Sequence, residues 1–196
     1  MTLEPVTLEG RHVLLQPLSL AHLNALCEVG LDPELWRATA FGMANEEDMG
    51  HFVQAALEAQ AARTALPFAT IDRDSGRIVG STRFLNIDPR HKRVEIGGTW
   101  IARPWQRTAI NTEAKYLMLR HAFESLGAIR VEFKTDAINW QSRQAILRLG
   151  AIEESTLRRH MIAWNGRVRD TVYFSIVDNE WREVKLRLEE KLTSRV

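Results

Sequence analysis

Residues 94–150 constrain this chain more than any other stretch, because their pattern runs strand, loop, helix, strand, helix. The extended run Glu95-Ile96-Gly97-Gly98-Thr99-Trp100-Ile101 precedes the loop Trp105-Gln106-Arg107-Thr108-Ala109-Ile110-Asn111, and a helix over residues 112–126 follows. The next strand, residues 129–136, sets Ile129, Val131, Phe133 and Thr135 against Arg130, Glu132, Lys134 and Asp136. Two strands of one sheet joined through a helix must run parallel, so the chain has to contain at least one parallel pair.

The remaining pattern is mostly antiparallel. Residues 12–18 read as a first strand, with Pro17 near its end. Ser19 is suited to cap a short helix that turns Leu20, Leu23, Leu26 and Cys27 inward and has Gly30 after it. Asn45 caps a second helix, with Met49, Phe52, Val53, Ala56 and Leu57 on one stripe. Between these helices, residues 36–43 form an apolar loop that either roofs a pocket or packs in the core. Strands over 67–72, 77–86 and 93–102 form a meander. Asn139 caps a helix that ends at Leu149-Gly150, and Asn165-Gly166 marks a late hairpin. A final helix starts at Asp178 and carries Trp181, Val184, Leu188 and Leu192 on one face. The expectation is one mixed α/β domain over 1–196, with about seven strands and five helices.

Composition removes several function classes. The 26 basic and 25 acidic residues leave a net charge of +1, with no bulk attraction for nucleic acid or a membrane surface. No run approaches the ~20 apolar residues of a membrane span. The first five residues lack the pattern of a secretory signal. One cysteine, Cys27, excludes an internal disulfide and fits a reducing, cytoplasmic setting. Metal-protease, serine-hydrolase and Walker motifs are missing, and no metal is expected.

The central segment carries the chemistry. Paired glycines in a strand mark a bulge or a close backbone approach by a ligand. A bulge at Gly97-Gly98 would splay this strand from its parallel neighbour and leave a slot of unpaired N–H and C=O groups, which an extended amide can use as an added strand would. At its mouth, the loop formed by Gln106, Arg107, Thr108, Ala109, Ile110 and Asn111 presents N–H groups to a phosphate at a helix N-terminus. Arg103, Arg107 and Arg143 are near enough in the scheme to pair with phosphates. Asn139 and Ser142 stand opposite.

This arrangement resembles the Gcn5-related N-acetyltransferase superfamily, and more narrowly the RimJ/RimL-type branch that acetylates N-terminal amines of ribosomal proteins. The resemblance rests on Glu95-Ile96-Gly97, Asn111-Thr112-Glu113-Ala114, Asn139-x-x-Ser142 with Leu149-Gly150, and the closing strand over 169–175. It implies acetyl-CoA as cosubstrate, with pyrophosphate on residues 106–111 and the following Thr112. The pantetheine would run along Trp100, Ile101 and Ala102 and be held by Asn139. It further implies Ser142 near the thiol and a peptide or protein N-terminus, or a small amine, as acceptor. Glu95 is the candidate to take the amine proton and Ser142 to protonate the thiolate. A silent CoA-binding domain of the same fold is the alternative from another class, and a homodimer through the hairpin strands is a possible assembly. The family pattern Gln/Arg-x-x-Gly-x-Gly/Ala here has Ala109 and Asn111 at its two small positions, which matters if either requires positive φ.

Overall fold

The computed structural model describes residue 1 and residues 3–194; Thr2 of the N-terminal segment and residues 195–196 lie outside the described residues. Among the described residues, eight strands form one sheet: β1 Leu8–Glu9, β2 Val13–Pro17, β3 Leu66–Asp72, β4 Ile78–Asp88, β5 Arg93–Ile101, β6 Arg130–Asp136, β7 Ile152–Ile162 and β8 Val168–Val177. Their order is β1-β2-β3-β4-β5-β6-β8-β7, and β5–β6 is its parallel pair. The eighth strand beyond the expected seven is β1, two residues paired with Leu14 and Leu15. So short an element has no periodicity to read.

Five α-helices among the described residues cover the sheet: α1 Leu23–Gly30, α2 Glu46–Ala61, α3 Ala109–Arg120, α4 Trp140–Leu149 and α5 Asp178–Thr193. They divide the core in two. Residues of α3, α4 and α5, among them Leu117, Met118, Ile146 and Val184, pack with Val94, Ile96, Val131, Phe133 and Phe174 on one face. On the other face, α1 and α2 supply Leu26, Met49, Val53 and Ala56, which pack with Trp36, Met43 and Trp100. Gly80 lets β4 approach β5 closely: a Cβ there would lie 2.1 Å from the Trp100 carbonyl oxygen.

Several boundaries move for local reasons. Helix α3 begins at Ala109 rather than residue 112, because the Thr108 hydroxyl accepts from the Ile110 N–H and caps it. Its α geometry ends at Arg120, and His121–Ser125 continue as a π turn before Gly127 at φ +65°. Leu20 is not inward: Leu20–His22 form a 3₁₀ turn, and Leu20 is 59% exposed. Asp178 is the first residue of α5 rather than its cap; Glu180 reaches back to accept from the Val177 N–H at 2.9 Å. The Asn165-Gly166 hairpin has a three-residue loop. Ala163 donates to the Arg167 carbonyl, and Gly166 alone takes positive φ, at +80°. Strand β7 is the outer edge and is exposed along its whole length.

Candidate active site

Strands β5 and β6 pair only from Arg93↔Arg130 to Glu95↔Glu132, although β5 continues to Ile101 and β6 to Asp136. Beyond Glu95 they part. The cause is a bulge on the other edge of β5, where Gly97 opposes Arg83 and Trp100 opposes Ser81, so two residues of β5 face Thr82 alone. Gly98 carries the bulge at φ +56°. The result is an open slot between the two strands. Ala102 donates to the Val79 carbonyl at 2.8 Å on the β4 side, so strand alternation turns the Ile101 N–H toward the slot. The Ile101 carbonyl is already taken by Gln106 Nε2 at 2.8 Å.

The N-terminus of α3 lies at the end of β5. Thr108 satisfies the Ile110 N–H, leaving those of Ala109 and Asn111 without an intrahelical acceptor. Ala109 is helical, so its methyl group costs nothing in backbone conformation. Positive φ falls instead on Arg107, at +63°. The side chain of Asn111 reaches inward, and its Oδ1 is buried without a hydrogen-bond partner. Thr112 follows in the first turn of α3, half-buried.

The opposite wall is the start of α4. Asn139 caps it, with Oδ1 accepting from the Ser142 N–H at 3.0 Å and Nδ2 donating to the Ala38 carbonyl at 3.0 Å. Both ends of the Asn139 amide are therefore engaged. Two side chains join the walls: Gln106, whose other amide end is the Nε2 bonded to Ile101, accepts at Oε1 from Gln141 Nε2 at 3.1 Å. Arg143 pairs with Glu153 at 3.1 Å and Arg103 with Asp32 at 3.5 Å, so both guanidiniums already hold carboxylates.

The loop over 36–43 packs in the core at both ends. Trp36 and Met43 are buried in the second core, with Trp36 edge-on to Trp100 at 5.5 Å. The stretch between them is tied to Asn139 through Ala38 and to the hairpin, where Trp164 donates to the Trp36 carbonyl at 3.0 Å. The loop thus spans from α4 to the hairpin.

Glu95 is 4% exposed and carries an ion pair: Lys134 Nζ and Asn86 Nδ2 each lie 2.8 Å from Oε2. Its carboxylate borders an open depression of about 480 Å³, lined also by Asn86, Glu132, Lys134 and Tyr173. On the other face of the sheet, Lys115 reaches under the bulge. Its Nζ lies 2.9 Å from Thr82 Oγ1 and 2.5 Å from Thr99 Oγ1, and burial pulls its pKa down to about 7. Sequence reasoning missed Lys115. The signal was a lysine inside a helix, followed directly by the apolar run Tyr116-Leu117-Met118-Leu119.

Glu113, part of the quoted motif, lies outside the slot. Its buried carboxylate accepts three backbone N–H groups, from Arg11, His12 and Val13, at 2.6–2.8 Å. It fastens α3, near the N-terminal end of that helix, to the β1–β2 turn.

A bulged strand splayed from its parallel neighbour, with a capped helix end beside it, frames the site. The chain belongs to the GNAT acetyltransferase family: a family model described as an acetyltransferase (GNAT) domain matches residues 12–152. It is 33% identical over 110 residues to the "Putative ribosomal N-acetyltransferase YdaF" of Bacillus subtilis (strain 168), covering 56% of this chain and 59% of that protein. The crystal structure of a GCN5-related N-acetyltransferase from Brucella melitensis superposes with a TM-score of 0.88 at 30% identity, covering 96% of this chain and 86% of that one. Mycobacterium smegmatis RimJ in complex with CoA-disulfide has the same fold, with a TM-score of 0.83, 22% identity, and coverage of 98% and 97%. No described helix is long and apolar enough to cross a membrane, and no metal-binding cluster occurs among the described residues.

Proposed function

We propose that this chain transfers an acetyl group from acetyl-CoA to a primary amine at a peptide or protein N-terminus. The observation that carries the reading is the end of β5–β6 pairing at Glu95, which leaves the slot edge of β5 beside the N-terminus of α3. Acetyl-CoA supplies an activated thioester, and most of the rate gain then comes from positioning. The residues present fit it: an extended strand edge for an amide-bearing arm, and helix N–H groups for phosphate.

Each residue then has a task. The N–H groups of Ala109 and Asn111, with Arg107 alongside, hold pyrophosphate. The Ile101 N–H polarises the acyl carbonyl. Glu95 takes the proton from the attacking amine, directly or through water in the depression beside it. Ser142, one turn into α4, donates a proton to the departing thiolate. Asn139 holds the wall in place through its cap, and its remaining Oδ1 lone pair is what it offers the pantetheine arm. The name of the Bacillus subtilis relative supports a protein N-terminus as acceptor.

Calorimetry with acetyl-CoA, followed by thiol release across peptides and small polyamines, tests the reading. We expect micromolar binding and turnover confined to peptides. Absence of binding at millimolar acetyl-CoA would sink the enzymatic reading; binding without turnover of any amine would point to a silent domain. Turnover of polyamines alone would replace the peptide acceptor with a small amine.

A further inference from the structure

Arg83 is a cation without a counterion among the described residues. It stands on β4 opposite Gly97, and opposed residues share a sheet face, as does Glu95 two positions along β5. Its guanidinium lies over the Phe52 ring at 4.4 Å and against Gly98, where an added Cβ would sit 2.6 Å from Nε. Among the described residues no carboxylate comes within ion-pairing distance of it, and Nε is buried without a hydrogen-bond partner. The carboxylate on its own face, Glu95, is turned to Lys134 and Asn86. Burial lowers the Arg83 pKa to about 10, so the group stays charged at neutral pH.

A guanidinium taken from water normally meets a carboxylate or a full set of acceptors. A ring face offsets part of that loss but accepts none of the in-plane N–H bonds. Those donors form a planar fork that matches a carboxylate. Arg83 and Glu95 share one face of the sheet, offset by two residues along β5 and by one strand. That placement suits an α-amine at Glu95 and a carboxylate carried by the same or the next residue. We propose that Arg83 binds a carboxylate of the acceptor, so that the preferred substrates are peptides with an acidic side chain at their first or second position. This inference rests on the peptide reading above.

The test uses peptide pairs that differ only by Glu against Gln at position one or two, plus free glutamate, with kcat/KM read by thiol release. Wild type should favour the acidic member by about 10- to 100-fold, the range of a charge-assisted pair. Arg83→Gln should bring the ratio to within about threefold of one, and Arg83→Lys should restore part of it. A purely structural role for Arg83 would lower both members of a pair together and leave the ratio unchanged; that result overturns the assignment. Equal use of both members by wild type overturns it even if the variants do not fold. Turnover of free glutamate but no peptide keeps Arg83 as the carboxylate site and overturns the peptide reading. Binding of acetyl-CoA with turnover of neither overturns both.

Discussion

Replacing Lys115 by methionine should stabilise the protein at neutral pH. In the unfolded chain this amine titrates near 10.5, and in the fold near 7. At pH 7 it is charged in every unfolded molecule and in about half of the folded ones. At ~1.4 kcal/mol per pH unit, that difference costs the native state about 4 kcal/mol. The two hydrogen bonds to Thr82 and Thr99 return about 1 kcal/mol each. Methionine has a similar stem and helix propensity, and without the amine the threonine hydroxyls still bond each other at 2.8 Å. The expected gain is about 2 kcal/mol, or roughly 4–8 °C in Tm for a chain of this size. The pH signature is more specific. Between pH 7 and 10.5 the unfolded state holds more protons than the fold, so wild-type stability rises with pH through that window and the penalty is fully present below it. Lys115→Met lacks this contribution, so the gap measured by denaturant titrations should close as pH rises and reverse at about pH 9, where the remaining penalty equals the ~2 kcal/mol of lost hydrogen bonds. A variant less stable than wild type at pH 7, or a gap constant from pH 7 to 10, would refute the reasoning.

Other substitutions probe the site and its supports. Glu95→Gln should lower kcat/KM by about 10²- to 10⁴-fold while leaving the acetyl-CoA Kd within about threefold; unchanged turnover removes Glu95 from the mechanism. Glu113→Gln places an amide NH₂ among three backbone N–H donors and should cost about 2–4 kcal/mol in chemical denaturation. Gly80→Ala drives a methyl into the Trp100 carbonyl and should cost about 3 kcal/mol or abolish folding, seen as lost soluble yield. Arg107→Gly relieves positive φ but removes a cation from the phosphate end. Tm should hold or rise while acetyl-CoA binding weakens about 5- to 10-fold, and tighter binding would exclude Arg107 from the pyrophosphate contact.

Gly97-Gly98 foreshadowed the bulge because paired glycines inside a strand have little other purpose, and the crossover rule foreshadowed the parallel pair. The missing loop glycine resolves differently from its first appearance: Ala109 is helical because Thr108 caps the turn ahead of it, and the strained position is Arg107. Cap preference gave each candidate residue near 106–111 a place but not its φ, since a one-turn shift of a helix start leaves the apolar stripe unchanged. Asn139 shows the same limit. Its capping role is local and readable, whereas its bond to Ala38 joins residues 101 apart in sequence.

Local pattern by itself determined the element types, the single crossover, the bulge and the caps at Asn45 and Asn139, because each depends on neighbours within a few residues. Tertiary structure alone decided which charges have partners. Glu95 meets Lys134, Glu113 meets the β1–β2 turn, Lys115 is stranded beneath the bulge and Arg83 beside it. Those outcomes depend on strand register and on which face a helix covers, and they fix the local dielectric and the nearest counter-charge. The sequence names the ionisable groups; packing assigns their protonation and their reach.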